Sequence, residues 1–189
     1  MKYILSIDFS VQQSGYAILC EDEMGIVSLI KFGTLTEDFL NEYSLDLATY
    51  DKIEFELTSN NRLLRQLQLI DYYLKVFCVF DNNDTKQIAI EDSYFKTNAQ
   101  VFKDVVLFQG MMVLYCEERK IPLLIQHATS WRKGIILARK RELQKQEAIE
   151  YVNNRFGLNF EYNKNKLKSH DDVAEAIVMG ISALRKDKL

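Results

Sequence analysis

Four acids in this chain stand where acids are costly. Asp8 closes the apolar run Tyr3-Ile4-Leu5-Ser6-Ile7, which reads as a β-strand, and a purely structural strand would continue with Val or Ile. Glu91 closes a second run, Ile88-Ala89-Ile90. Asp172 and Glu175 open the last apolar segment, SHDDVAEAIVMGISAL, three residues apart, so both project from one side of a helix's first turns. Singly, each has a plain explanation. Asp8 starts a polar loop through Ser10, Gln12 and Gln13, and acids favour helix N-termini. As a set they are more informative. The carboxyl ends of strands are where sites assemble in open α/β sheets, and capping needs one acid where Asp171, Asp172 and Glu175 offer three. Asp171, four residues before Glu175, competes with Asp172 for a place in the set.

If the acids converge, they cannot all stay ionised without cations, because like charges at a few Å raise each other's pKa. A divalent metal resolves the conflict. Oxygen ligands without a Cys or His cluster select Mg²⁺, with Mn²⁺ as a substitute, over Zn²⁺. Two such ions roughly 4 Å apart activate a water and stabilise the leaving 3′ oxygen in phosphodiester hydrolysis. The expected catalytic and metal-binding residues are therefore Asp8, Glu91, Asp172 and Glu175, with two ions per site. His170 either assists a metal-bound water or pairs with the neighbouring acids as a cap-region partner; His127 reads as structural.

Elements must position these groups, and the chain has length for one α/β domain spanning residues 1–189. One Pro, seven Gly and no low-complexity run leave no visible linker. No stretch reaches about 18 uninterrupted apolar residues, and the N-terminus lacks a signal-peptide pattern, so a soluble, cytoplasmic protein without a membrane partner is expected. Cys20, Cys78 and Cys116 lie far apart in apolar segments and read as core thiols. Lys2–Leu19 predicts a hairpin and Gly25–Leu35 a third antiparallel strand. Residues 51–80 carry a helical period with a break at Ser59-Asn60-Asn61. The strand ending at Glu91 leads to a loop through Tyr94, Phe95, Lys96 and Asn98, then to a helix in which Gly110 implies close packing on the sheet or on another helix, a partner subunit's included. After Pro122, Leu123–Gln126 reads as a further buried strand. Ser130 is a candidate N-cap, and Ser169 with Asp172 suggests a capping box for the last helix.

Net charge hides an asymmetry. Residues 1–130 sum to -8 and residues 131–189 to +5. Trp131–Lys145 alone carries six bases, Arg132, Lys133, Arg139, Lys140, Arg141 and Lys145, against Glu142. Such a segment is either a phosphate-tracking surface or a solvated helix face. An acidic pocket repels DNA, and a basic segment beside it would supply what the pocket lacks.

The order of these features resembles the RuvC family of Holliday junction resolvases, within the ribonuclease H-like superfamily. The resemblance rests on the hairpin with Asp8 and Ser14-Gly15-Tyr16, Ile90-Glu91, an aromatic at Tyr94 or Phe95, Asn98-Ala99, Gln109-Gly110, and the last helix with Asp172, Glu175 and Ala176-Ile177. It implies a ribonuclease H-like mixed five-stranded sheet, three antiparallel strands followed by parallel ones, flanked by helices. It also implies a homodimer that cuts Holliday or other branched DNA, with Asp8, Glu91, Asp172 and Glu175 as catalytic acids. The junction would meet Tyr94, Phe95, Asn98, Arg132, Lys133, Arg139, Lys140, Arg141 and Lys145, an aromatic stacking on opened bases. Three departures fit a divergent, phage-type member: Phe9-Ser10 replaces the usual Pro-Gly, Glu175 replaces the usual Asp, and the stretch from Asp8 to Glu91 is long. Fold and acids do not specify substrate, which leaves as rivals another ribonuclease H-like nuclease, acting on RNA/DNA hybrids or flaps, and a non-catalytic junction-binding protein.

Overall fold

A computed structural model describes residues 1–10, 14–35, 63–64, 66–68, 70–71, 74, 85–93, 99–164 and 169–186. Five strands, β1 (Lys2–Asp8), β2 (Ser14–Glu21), β3 (Val27–Leu35), β4 (Thr85–Glu91) and β5 (Leu123–Gln126), form one sheet in the order β3-β2-β1-β4-β5. β1–β2 and β2–β3 are antiparallel, whereas β1–β4 and β4–β5 are parallel. This is the mixed sheet, antiparallel then parallel, that the sequence predicts. Four helices follow in the described residues: α1 (Ala99–Arg119), α2 (Ala128–Arg132), α3 (Arg141–Phe156) and α4 (Asp171–Lys186). The described residues between 63 and 74 are helical, with Ile70 and Leu74 buried, in line with the expected period. The break at Ser59-Asn60-Asn61 and the loop holding Tyr94, Phe95 and Asn98 lie outside the described residues, as does Cys78.

β1 is the central strand, and its register brings two of the acids to one sheet edge. Ile7 pairs with Ile90 in the parallel ladder, so Asp8 and Glu91 end neighbouring strands at the same end. Alternation then splits the apolar residues into two cores. Ile4, Ala17, Leu19 and Ala89 face α4, together with Trp131 and α3's Ala148, Ile149 and Val152. Leu5, Ile7, Tyr16, Ile88 and Ile90 face α1, through Phe108, Met112, Tyr115 and Cys116. α4 is buried on every side from Val173 to Leu184, as a helix apolar all round must be. α1 instead buries one side only. It is long and apolar enough by length and composition to cross a bilayer, yet Lys103, Asp104 and Gln109 interrupt it, and its buried side packs on the sheet.

Four local expectations are corrected. The N-cap of α2 is His127, whose Nδ1 accepts from Thr129 N at 3.4 Å; Ser130 lies within the helix. α4 begins at Asp171, with Ala174 N donating to His170 O at 2.9 Å, one residue later than a capping box on Ser169 would set it. The reason is a clasp upstream: Glu161 N donates to His170 Nδ1 at 3.1 Å, His170 N donates to Glu161 O at 3.1 Å, and Ser169 Oγ accepts from Asn163 N at 3.2 Å. β5 is only partly buried, with Ile125 at 40% exposure. A Cβ at Gly110 would meet nothing within 4 Å, so close packing on the sheet is excluded as its reason.

Candidate active site

The site is built from strand ends and one helix start. Asp8 is fixed by β1 on one side and on the other by the segment after it, where Phe9 stacks on Phe108 with ring centroids 4.3 Å apart. Ser14 closes this segment: its Oγ donates to Ser10 O at 3.0 Å and accepts from Ser10 N at 3.1 Å. Phe9, which stands where the resemblance leads one to expect Pro, is thus an anchor onto α1. Glu91 is held at the end of β4 by Gln109, whose Nε2 donates to Glu91 O at 3.1 Å while Ser93 Oγ donates to Gln109 Oε1 at 2.7 Å.

Asp172 and Glu175 are seated by backbone contact between α4 and the hairpin. Ser6 Oγ, buried in β1, donates to Ala176 O at 2.6 Å. Gly15, opposite Asp8 in register, lies so close to α4 that a Cβ there would overlap the Asp172 carbonyl. Only glycine allows the two backbones this approach.

The result is a group of three. Asp8, Asp172 and Glu175 each offer a carboxylate oxygen, all within 4.8 Å of one another. Asp8 has its pKa pushed well above the usual carboxylate range, by burial first and then by Glu175, Asp172 and Glu91, with Arg141 opposing. Crowded, hard oxygen donors with no Cys or His in the group fit Mg²⁺ or Mn²⁺. Glu91 stands outside the group of three and meets it through Arg132, whose Nη2 lies 3.7 Å from Glu91 Oε2 and 3.1 Å from Glu175 Oε1. Asp171 turns away: it pairs with Lys145, and that cation, with a bond from Ser169, lowers its pKa against the effect of burial. Between the two competing aspartates, Asp172 is the one that joins Asp8 and Glu175. His170 faces Glu161 and stacks on Phe160 with centroids 4.9 Å apart.

The bases divide into two sets. Lys133, Arg139 and Lys140 are exposed on a turn that α3 pins down, Leu137 N and Ala138 N donating to Glu147 Oε2 at 2.7 and 2.9 Å. Arg132, Arg141 and Lys145 point inward to acids. Arg141 grips Glu175 with both arms, Nη1 to Oε1 at 2.5 Å and Nη2 to Oε2 at 2.6 Å, and that charge holds it protonated more firmly than usual although burial opposes. The sequence expects Arg132, Arg141 and Lys145 to meet DNA, and in the structure all three pair with acids. One signal could have set Arg141 apart: a cation in the first turn of a helix opposes the macrodipole, so an acid elsewhere has to recruit it.

A mixed sheet of order β3-β2-β1-β4-β5 with acids at the ends of β1 and β4 and on a helix packed across them is a ribonuclease H-like arrangement. More narrowly, the fold is that of RuvC-type Holliday junction resolvases. Thermus thermophilus RuvC, solved in complex with a Holliday junction substrate, superposes with a TM-score of 0.63 at 12% identity, covering 98% of this chain and 96% of that one. The Fowlpox virus resolvase, solved with Holliday junction DNA, gives 0.53 at 15% identity, with 97% of each chain covered. The yeast mitochondrial Holliday junction resolvase gives 0.54 at 18% identity, covering 97% of this chain and 78% of that one. No protein-family model and no curated protein matches the sequence. At these identities the likeness is one of fold.

Proposed function

We propose that this chain is a divalent-metal-dependent endodeoxyribonuclease that resolves Holliday junctions or other branched DNA. The observation that carries the reading is the convergence of Asp8, Asp172 and Glu175 beside an exposed basic turn, within a fold whose solved neighbours are junction resolvases. Asp8, Asp172 and Glu175 would hold the metal, with Glu91 at its margin. A divalent ion held by these residues would supply the Lewis-acid chemistry of phosphodiester hydrolysis, activation of water and stabilisation of the leaving 3′ oxygen. Burial and the neighbouring acids disfavour the charge on Asp8, and a divalent ion held there would relieve that cost. Lys133, Arg139 and Lys140 draw the phosphate backbone toward a pocket that would otherwise repel it. Tyr94, Phe95 and Asn98 complete the DNA surface on the resemblance alone.

Two cuts on opposing strands need two sites, and the homodimer that supplies them fits the free side of α1. Val106, Leu107, Val113 and Leu114 are 42%, 57%, 40% and 67% exposed, and with Gly110 they recur at three- and four-residue steps, the seam a second helix packs against. Gly110 costs about 1 kcal/mol against Ala in an open helix and would let a second copy's α1 approach closely.

Incision of four-way junctions with Mg²⁺ or Mn²⁺, set against flaps, linear duplex and RNA/DNA hybrid, tests the reading. Junctions should be cut preferentially, and Glu91→Gln should abolish cutting while leaving binding. Preferential cutting of the hybrid would replace the substrate; binding by the wild type without cutting in either metal would make the chain a junction-binding module.

A further inference from the structure

Four carboxylates suggest two divalent ions, but the structure places two guanidinium groups among them. Glu175 is fully buried, and arginines occupy most of its acceptor capacity: Oε1 accepts from Arg132 and Arg141, and Oε2 accepts from Arg141 alone, which leaves Oε2 one lone pair for a metal ion. Arg132 also faces Glu91 at 3.7 Å. Lys145 pairs with Asp171 and lies 3.7 Å from Asp172 Oδ1 at the edge of the cluster, so that Lys145 and Asp171 cancel in the charge count. Asp8, Glu91, Asp172 and Glu175 set against Arg132 and Arg141 leave two negative charges, the charge of one divalent ion. Geometry agrees with the charge. A carboxylate gripped by a forked arginine can still offer its remaining lone pair to one ion but cannot bridge two.

We propose that Arg141, aided by Arg132, supplies the positive charge of one of the two ions that the acids alone would call for, so that the centre takes up a single divalent ion. Resting on the nuclease reading above, this fixes how its site is loaded. Arg141 is a positioning residue, acting through Glu175. Its side chain is 42% exposed, so it stands at the mouth of the cluster, whereas Arg132, 12% exposed, lies behind it against the Trp131 ring, 4.4 Å from the centroid.

Mn²⁺ titrated into the metal-free full-length chain, followed by calorimetry and by electron paramagnetic resonance, tests this without any turnover. The wild type should bind one Mn²⁺ per chain and keep an isolated-ion six-line spectrum at excess metal. Arg141→Gln, which leaves one more uncompensated negative charge, should bind two and show an exchange-broadened spectrum; Arg141→Lys, which keeps the charge, should stay at one. Two ions on the wild type would overturn the inference and leave the nuclease reading standing. One ion on both the wild type and a folded Arg141→Gln would overturn the role given to Arg141. No ion on any form would overturn both readings. The wild-type stoichiometry and spectrum decide the central point even if Arg141→Gln does not fold.

Discussion

The two faces of the sheet are built by different rules. On one, the backbone of α4 comes directly against the hairpin: Gly15 abuts the Asp172 carbonyl, and Ser6 Oγ donates to the Ala176 carbonyl. On the other, α1 rests on Phe108, Met112, Tyr115 and Cys116, side chain against side chain, while its far side stays apolar and open. Side-chain packing tolerates small shifts at modest cost, whereas backbone contact does not. The rigid rule is used where Asp172 and Glu175 must be held near Asp8; on the adaptable face α1 reaches the site through side chains, Phe108 against Phe9 and Gln109 against the Glu91 carbonyl.

Gly15→Ala should break this arrangement most severely. The new methyl has no flexible neighbour to displace, only the Asp172 carbonyl, so α4 has to move. We expect a loss of about 3 kcal/mol in denaturant unfolding, and much weaker Mn²⁺ binding in whatever folds. Gly180→Ala meets the side chains of Leu19 and Ser6 and should cost less, about 1–2 kcal/mol. Equal costs at the two glycines would refute the distinction between backbone and side-chain contact.

The Asp171–Lys145 pair sharpens the picture from the electrostatic side. Asp171 has its carboxyl below the usual range when folded, so the unfolded chain binds the proton more readily and stability rises with pH through the carboxylate range. The pair's stabilisation is present above that range and is lost as pH falls through it. It fades again as pH rises beyond the usual lysine range, because Lys145 is held protonated above its ordinary value. Melting of the wild type against Asp171→Asn should therefore differ by several degrees at pH 7, at about 2–4 °C per kcal/mol for a chain of this size, and converge in acid. Asp8→Asn should act in the opposite direction. With one crowded charge removed, the metal-free protein should melt higher by about 2–4 °C while losing Mn²⁺. A fall in melting temperature would mean that Asp8 is a structural acid.

Much of this was legible in the residues because the signals were local. An acid at the end of an apolar strand, as at Asp8 and Glu91, violates the strand's own chemistry within a few positions; continuous apolar runs carry the hairpin Lys2–Leu19, and alternation over Gly25–Leu35 carries the third strand. What was not legible depends on partners distant in sequence. Arg141 and Arg132 meet Glu175 across 34 and 43 residues, and a count of bases cannot say which way a guanidinium points. Asp171 and Asp172 are equivalent by helical spacing; only the approach of Asp8, far upstream on β1, singles out Asp172. The start of α4 was misplaced by a residue because the His170–Glu161 clasp, not a local hydroxyl, sets it.

The smallest effect on stability is expected on the open side of α1, and it is the one that tests why that side was left open. Leu107→Glu combined with Leu114→Glu alters two exposed positions that touch neither the sheet nor the acids. Folding stability of the isolated chain should change by no more than about 0.5 kcal/mol, and one Mn²⁺ should still bind. If two copies pack through α1 as proposed, the two glutamates would place like charges in an apolar seam, so light scattering should report dimers for the wild type and monomers for the variant. Junction binding should weaken and paired incision on opposing strands should give way to single nicks. A variant that remained dimeric would move the interface elsewhere and leave the exposed stripe of α1 without that role, whereas a monomer with intact metal binding would separate the two faces functionally as well as structurally.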